Sequence, residues 1–206
     1  QSLPFSRLLE KKKISKIKNS MKITIFDVDD TLIITKSKIK VHNPKTGFEA
    51  ELTPQEFNTF KKRPNDKMDF SDFQSLEILK AGKIIEWVFS ILRRAIAKGA
   101  PVGIITARDD SKLIQQFLAH NGININPQYI FAINDTSLGF KGSTSEKKKE
   151  AFKKFIDMGF NDFTFFDDDE ENIKLAKSLS KEPNIKMRAK LIKGKWIPKF
   201  DDFNQK

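Results

Sequence analysis

The chain has 206 residues, of which 38% are hydrophobic, so it can bury the core of one ordinary domain with a tail to spare. It has no cysteine, which excludes disulfides, thiolate metal sites and cysteine nucleophiles and fits a reducing compartment. The net charge of +11 accompanies no apolar run near the roughly 18 residues that span a bilayer, so no membrane partner is expected.

Residues 1–21 read as a basic N-terminal tail, with Ser2–Glu10 as a short helix and no apolar stretch of the signal-peptide kind. Residues 1–22 carry seven Lys or Arg against Glu10, residues 181–206 carry eight against three acids, and residues 23–180 are neutral. The ends are suited to hold a polyanion such as nucleic acid, or to be solvated tails. Ile23-Thr24-Ile25-Phe26 is a buried-strand run that ends in acids. Residues 33–80 break the rhythm that follows. Lys38–His42 and Phe48–Leu52 alternate about the turn Asn43-Pro44-Lys45-Thr46-Gly47, which predicts a β-hairpin flap. Thr53-Pro54-Gln55-Glu56 then predicts a helix start.

From there helices and strands alternate. Apolar residues at helical spacing predict helices over Lys83–Lys98, Asp109–His120, Ser145–Met158 and Glu170–Leu179. Strands are predicted at Pro101–Thr106, Tyr129–Ile133 and Phe163–Phe166, with Ile185–Ile192 as an edge strand. The fold class is α/β: a Rossmann-like doubly wound parallel sheet spanning residues 22–200, with a β-hairpin flap and helical insert, and a short C-terminal tail at 201–206. In such sheets the site lies at the carboxyl ends of the strands.

Acids collect at two of those ends, Asp27-Val28-Asp29-Asp30-Thr31 after the first strand and Asp167-Asp168-Asp169-Glu170-Glu171 after the fourth. Clustered carboxylates repel unless a cation neutralises them, and an all-oxygen donor set favours Mg²⁺. Each piece also has a plain structural reading. The first cluster can cap the next segment, the second can be the acidic first turn of a helix, and Lys147–Lys149 can be a solvated helix face.

Asp27-Val28-Asp29-Asp30-Thr31-Leu32 resembles the first motif of the haloacid dehalogenase (HAD) superfamily, Asp-x-Asp-x-Thr after an apolar strand. Ile104-Ile105-Thr106 resembles the second motif. A lysine at the start of a helix resembles the third, with Lys147 favoured over Lys148 and Lys149. Phe165-Phe166-Asp167-Asp168 with Asn172 resembles the fourth, although Asn172 stands where the family often has Asp. The resemblance implies a small-cap phosphohydrolase over about residues 22–192. It casts Asp27 as nucleophile and Asp29 as general acid and base. Thr106 and Lys147 would hold the phosphoryl group, and Asp30, Thr31 and Arg108 would lie on the substrate side. Arg108 would touch a substrate phosphate or form a surface ion pair. Mg²⁺ would be held by Asp27, Asp168 and the backbone carbonyl of Asp29, with Asp167 as substitute or as a support behind the ligands.

The short insert implies an open site that suits a bulky substrate, with a 3′- or 5′-phosphate on nucleic acid leading and nucleotides and phosphoproteins open. The segment around Leu52-Thr53-Pro54-Gln55-Glu56-Phe57-Asn58 also resembles HAD-like proteins of tailed bacteriophages, some of them capsid or scaffold proteins. That implies an alternative: a virion or head-assembly component with other virion proteins as partners, in place of a cytoplasmic enzyme. On that reading Gln1 is a processed N-terminus, and otherwise only a segment boundary.

Overall fold

A computed structural model describes residues 20–193. The expected Ser2–Glu10 helix and most of the basic ends lie outside those residues. Strand β1 (Lys22–Phe26) leads through a turn into β2 (Ile33–Ile34) and an insert. In the insert, β3 (Ile39–Asn43) and β4 (Phe48–Leu52) form the expected hairpin, with Ile39 opposite Leu52 and Asn43 opposite Phe48. A strand absent from the sequence reading, β5 (Lys67–Asp69), pairs with the other edge of β3. Helix α1 (Pro54–Thr59) begins where expected. The Thr53 hydroxyl accepts from the Glu56 amide at 3.1 Å, and the Glu56 carboxylate accepts from the Thr53 amide at 2.7 Å.

After α2 (Leu76–Lys80) the chain does not enter the long helix expected from Lys83. Lys83–Ile84 form β6, antiparallel to β2, and the Ile85 amide donates to Leu32 O at 2.9 Å. Pairing with a strand remote in sequence overrides the helical period there, and α3 covers only Glu86–Ala97. Then follow β7 (Val102–Thr106), α4 (Ser111–His120), β8 (Ile130–Ala132), α5 (Thr144–Asp157), β9 (Asp162–Asp167), α6 (Glu170–Ser178) and β10 (Lys186–Leu191).

The five long-range strands form one parallel sheet in the order β10-β9-β1-β7-β8. Alternate side chains face opposite layers, as the pleat requires. Phe26, Ile104 and Phe166 pack with Val88, Leu92 and Phe117 from α3 and α4. Ile25, Ile105 and Phe165 pack with Phe152, Phe155 and Ile173 from α5 and α6. The α5 layer sits so close that a Cβ on Gly103 of β7 would lie 2.7 Å from the Phe155 ring. This is an α/β fold of the Rossmann-like kind, a parallel sheet flanked by helices. The chain starts in the middle at β1, runs out through β7 and β8, then returns to the other side for β9 and β10. The reversal beside β1 leaves a crevice at the carboxyl ends, where ligands of such sheets bind.

Candidate active site

Register places the acids. Phe26 of β1 pairs with Phe166 of β9, their rings stacked at 5.1 Å, and the Asp27 amide donates to Phe166 O at 2.9 Å. The next residues out, Asp27 and Asp167, therefore share the end of two adjacent strands. The chain then folds back at once. Thr31, Leu32 and Ile33 amides all turn to Val28 O, and Asp30 takes a left-handed φ of 57°. Asp tolerates that region better than most residues, and the tight loop keeps Asp29 and Asp30 beside the strand end.

Carboxylate oxygens of Asp27, Asp167 and Asp168 lie within 4.8 Å of one another. Among them stands the ammonium of Lys148, 2.8 Å from Asp27 Oδ1 and 2.6 Å from Asp167 Oδ2. Asp167 is further held by Asn172 Nδ2 at 3.1 and 3.2 Å and by the Asp169 amide at 2.9 Å. Thr31 Oγ1 spans the remaining edge, donating toward Asp27 at 3.4 Å and Asp168 at 3.5 Å. Three carboxylates and one ammonium leave a formal charge of −2 in a largely buried group.

That imbalance shows in the acidities. Burial pushes the Asp27 carboxyl well above the usual carboxylate range; Lys148 pulls it down and Asp167 and Asp168 push it up. Burial, then Asp167, raises Asp168 to about 7. Burial, then Asp29, raises Asp30 to about 6. Burial disfavours the Lys148 ammonium, but Asp167 and Asp27 outweigh it and its pKa rises. The three carboxylates could hold a metal ion. Their all-oxygen donors suit a hard dication, without selecting one metal.

Asp29 is held differently. Arg108, 3% exposed, donates from Nε to Asp29 Oδ2 at 2.9 Å and from Nη2 to Oδ1 at 2.8 Å. The same guanidinium donates to Phe73 O at 2.5 Å and Ser37 Oγ at 3.3 Å, so it ties the acid to the insert. Arg108 is thus neither a surface ion pair nor an unengaged phosphate ligand. Thr106, fully buried, accepts from the Arg108 amide at 3.3 Å. Asp27, Asp29, Asp30, Asp168, Lys148 and Arg108 line a common cavity of about 380 Å³. Thr31, Thr106 and Asp167 lie behind it as supports.

The favoured lysine requires correction. Lys147 turns away to Asn134 Oδ1, at 2.8 Å in an exposed bond, and Lys148 enters the cluster. The signal was present in the helix phase. Position 148 precedes the buried Ala151, Phe152 and Phe155 by three, four and seven residues, the spacing of one helix face. Sequence reasoning also missed Asn134 and the aromatic residues of the insert that line the cavity. Nothing local announces them, because their role depends on where the insert folds.

The fold and the site define an α/β protein with a largely buried carboxylate cluster, one that could hold a metal ion, at the switch point of its sheet. In comparison with known proteins, the chain matches no family model and no curated protein. No helix among the described residues is long and apolar enough to cross a membrane.

Proposed function

We propose that the chain is a magnesium-dependent phosphomonoester hydrolase of the HAD type, working through an aspartyl-phosphate on Asp27. The observation that carries this reading is the convergence on one cavity of Asp27, flanked by Lys148 and Asp168, with Asp29 two residues on. A carboxylate nucleophile needs its charge maintained in a buried place, a partner for the developing phosphoryl charge, and a second acid for the protons. These residues supply all three.

Asp27, Asp168 and the Asp29 backbone carbonyl would hold the Mg²⁺, supported by Asp167, and the ion when bound would withdraw charge from the phosphoryl oxygens. In the first half-reaction an Asp27 oxygen bonds to phosphorus as the ester oxygen leaves, taking a proton from Asp29. In the second, Asp29 accepts a proton from water as that water bonds to phosphorus, releasing inorganic phosphate and restoring the Asp27 carboxylate. Lys148 favours the ionised form of Asp27 against the burial that opposes it, and it balances the charge arriving with the phosphate. Both Asp29 oxygens accept from Arg108, so turning one to the substrate costs one guanidinium bond. Ser37 and Phe73 O hold the guanidinium meanwhile. No feature of the described residues favours the head-assembly alternative.

The test is phosphate release from an aryl phosphate, nucleotides and phosphorylated oligonucleotides, with Mg²⁺, with chelator, and with Asp27→Asn. Magnesium-dependent release that Asp27→Asn abolishes is expected. A folded chain that binds Mg²⁺ and releases phosphate from none of them refutes the reading.

A further inference from the structure

The cavity has two unlike walls. Its floor is the carboxylate cluster, and the insert contributes the aromatic rings of Phe57, Phe70 and Phe73. Phe57 and Phe70 meet edge to face at 5.5 Å and 88°, and Phe70 and Phe73 lie 6.4 Å apart at 55°. Among the described residues four large apolar side chains are markedly exposed, Met21, Ile34, Phe70 and Met158. Phe70, 45% exposed, is the one of these four that lines the cavity. A single exposed apolar residue is ordinary, but an uncovered ring beside two others in a cleft over reactive groups is a surface awaiting a partner.

The rings are also pinned. The Ser71 amide donates to Asp69 Oδ1 at 2.8 Å and the Phe73 amide to Phe70 O at 2.9 Å, which fixes the turn carrying Phe70. The Arg108 guanidinium lies over the Phe73 ring at 5.1 Å while its Nη1 bonds the Phe73 carbonyl. The aromatic wall is therefore anchored to the residue that orients Asp29. Asn58 and Asp109 line the same cavity and place polar groups beside the rings, with one Asp109 oxygen held by Gln74, while Asn134 is engaged by Lys147 and Ala107 O.

We infer that Phe70, with Phe57 and Phe73, is a stacking platform for the nucleobase of a nucleotide whose phosphate is presented to Asp27. This rests on the phosphatase reading and names its substrate class. A base has the flat apolar face that the rings need and the polar edge that the amides and carboxylate need. The cavity of about 380 Å³ is at the small end of ligand sites, sized for one nucleotide unit. Stacking of a base on an aromatic side chain is sequence-tolerant, so the platform would favour nucleotides as a class over one base.

The test compares kcat/KM for adenosine 3′- and 5′-monophosphates with that for glycerol phosphate, in Mg²⁺, for the wild type and for Phe70→Ala, Phe70→Leu and Phe70→Trp. The expected result is a nucleotide preference that falls roughly ten- to a hundredfold in Phe70→Ala and Phe70→Leu and is kept in Phe70→Trp. An unchanged preference ratio in Phe70→Ala, or no nucleotide preference in the wild type, overturns the platform and leaves the phosphatase reading standing. If the wild type hydrolyses none of the three, the phosphatase reading is decided by the wider panel above and the platform by binding. Calorimetry of adenosine monophosphate on Asp27→Asn, with and without Phe70→Ala, then decides the platform, and absent binding or equal affinity overturns it.

Discussion

Replacing Lys148 by Met keeps most of the buried stem and deletes the charge. The ammonium makes two contacts, 2.8 Å to Asp27 and 2.6 Å to Asp167, with its side chain 4% exposed. Removing one partner of such a buried group costs about 3–5 kcal/mol, because the remaining charges stay buried without compensation. At about 2–4 °C per kcal/mol for a domain of this size, the melting temperature in chelator should fall by roughly 6–20 °C. The loss has a pH signature. Asp27 and Asp168 already have raised folded values, and without Lys148 they rise further. A carboxyl raised in the folded state keeps its proton where the unfolded chain has lost it, so it weakens the fold as pH climbs from about 4 toward the folded value. The variant should therefore lose more at pH 8 than at pH 5, and millimolar Mg²⁺ should recover part of the loss. Thermal unfolding followed by circular dichroism, at both pH values with and without Mg²⁺, measures this. Lys147→Met, whose ammonium serves only the exposed bond to Asn134, is the control and should change little. An equal loss at both pH values with no response to Mg²⁺, or the same pattern in Lys147→Met, would refute the electrostatic account of the cluster.

Other outcomes follow from the same geometry. Mg²⁺ affinity by calorimetry should fall about tenfold or more per pH unit below pH 7, because Asp168, raised to about 7, and Asp27, also raised, must lose their protons to ligate; a flat profile from pH 8 to pH 6 would exclude Asp168 as a ligand. Arg108→Lys should lower kcat much as Arg108→Ala does, since an ammonium cannot reproduce the two-pronged grip on Asp29 together with the bonds to Phe73 O and Ser37; full activity in Arg108→Lys would show that charge alone suffices. Gly103→Ala should cost about 1–3 kcal/mol in denaturant unfolding, because its Cβ would meet the Phe155 ring at 2.7 Å, and Phe155→Leu should relieve part of that cost. Asn43 bonds Asp66 at 2.8 Å and Pro64 O at 3.0 Å, so Asn43→Ala should open amides of residues 43–66 to hydrogen exchange while the sheet stays protected.

The elements that carry their own local signal were legible from residues alone. Two-residue alternation marked β3 and β4, buried β-branched and aromatic runs marked β1, β7 and β9, and Thr53 with Glu56 announced α1. The clustering of acids at the ends of β1 and β9 was equally plain, because it needs only the strand boundaries. The tertiary structure decided which residues meet. The fold sets Asp27 beside Asp167, 140 positions further along the chain. It brings Arg108 to Asp29 across 79 residues, and it converts Lys83–Ile84 from an expected helix start into a strand paired with β2. The choice of Lys148 over Lys147 lies between the two cases, since the helix phase encodes it but only the packing of α5 on the sheet gives that phase a direction. Periodicity and capping report on a residue and its near neighbours. Register, burial and acidity depend on groups that only the folded chain brings together, and the chemistry of this site is made of those.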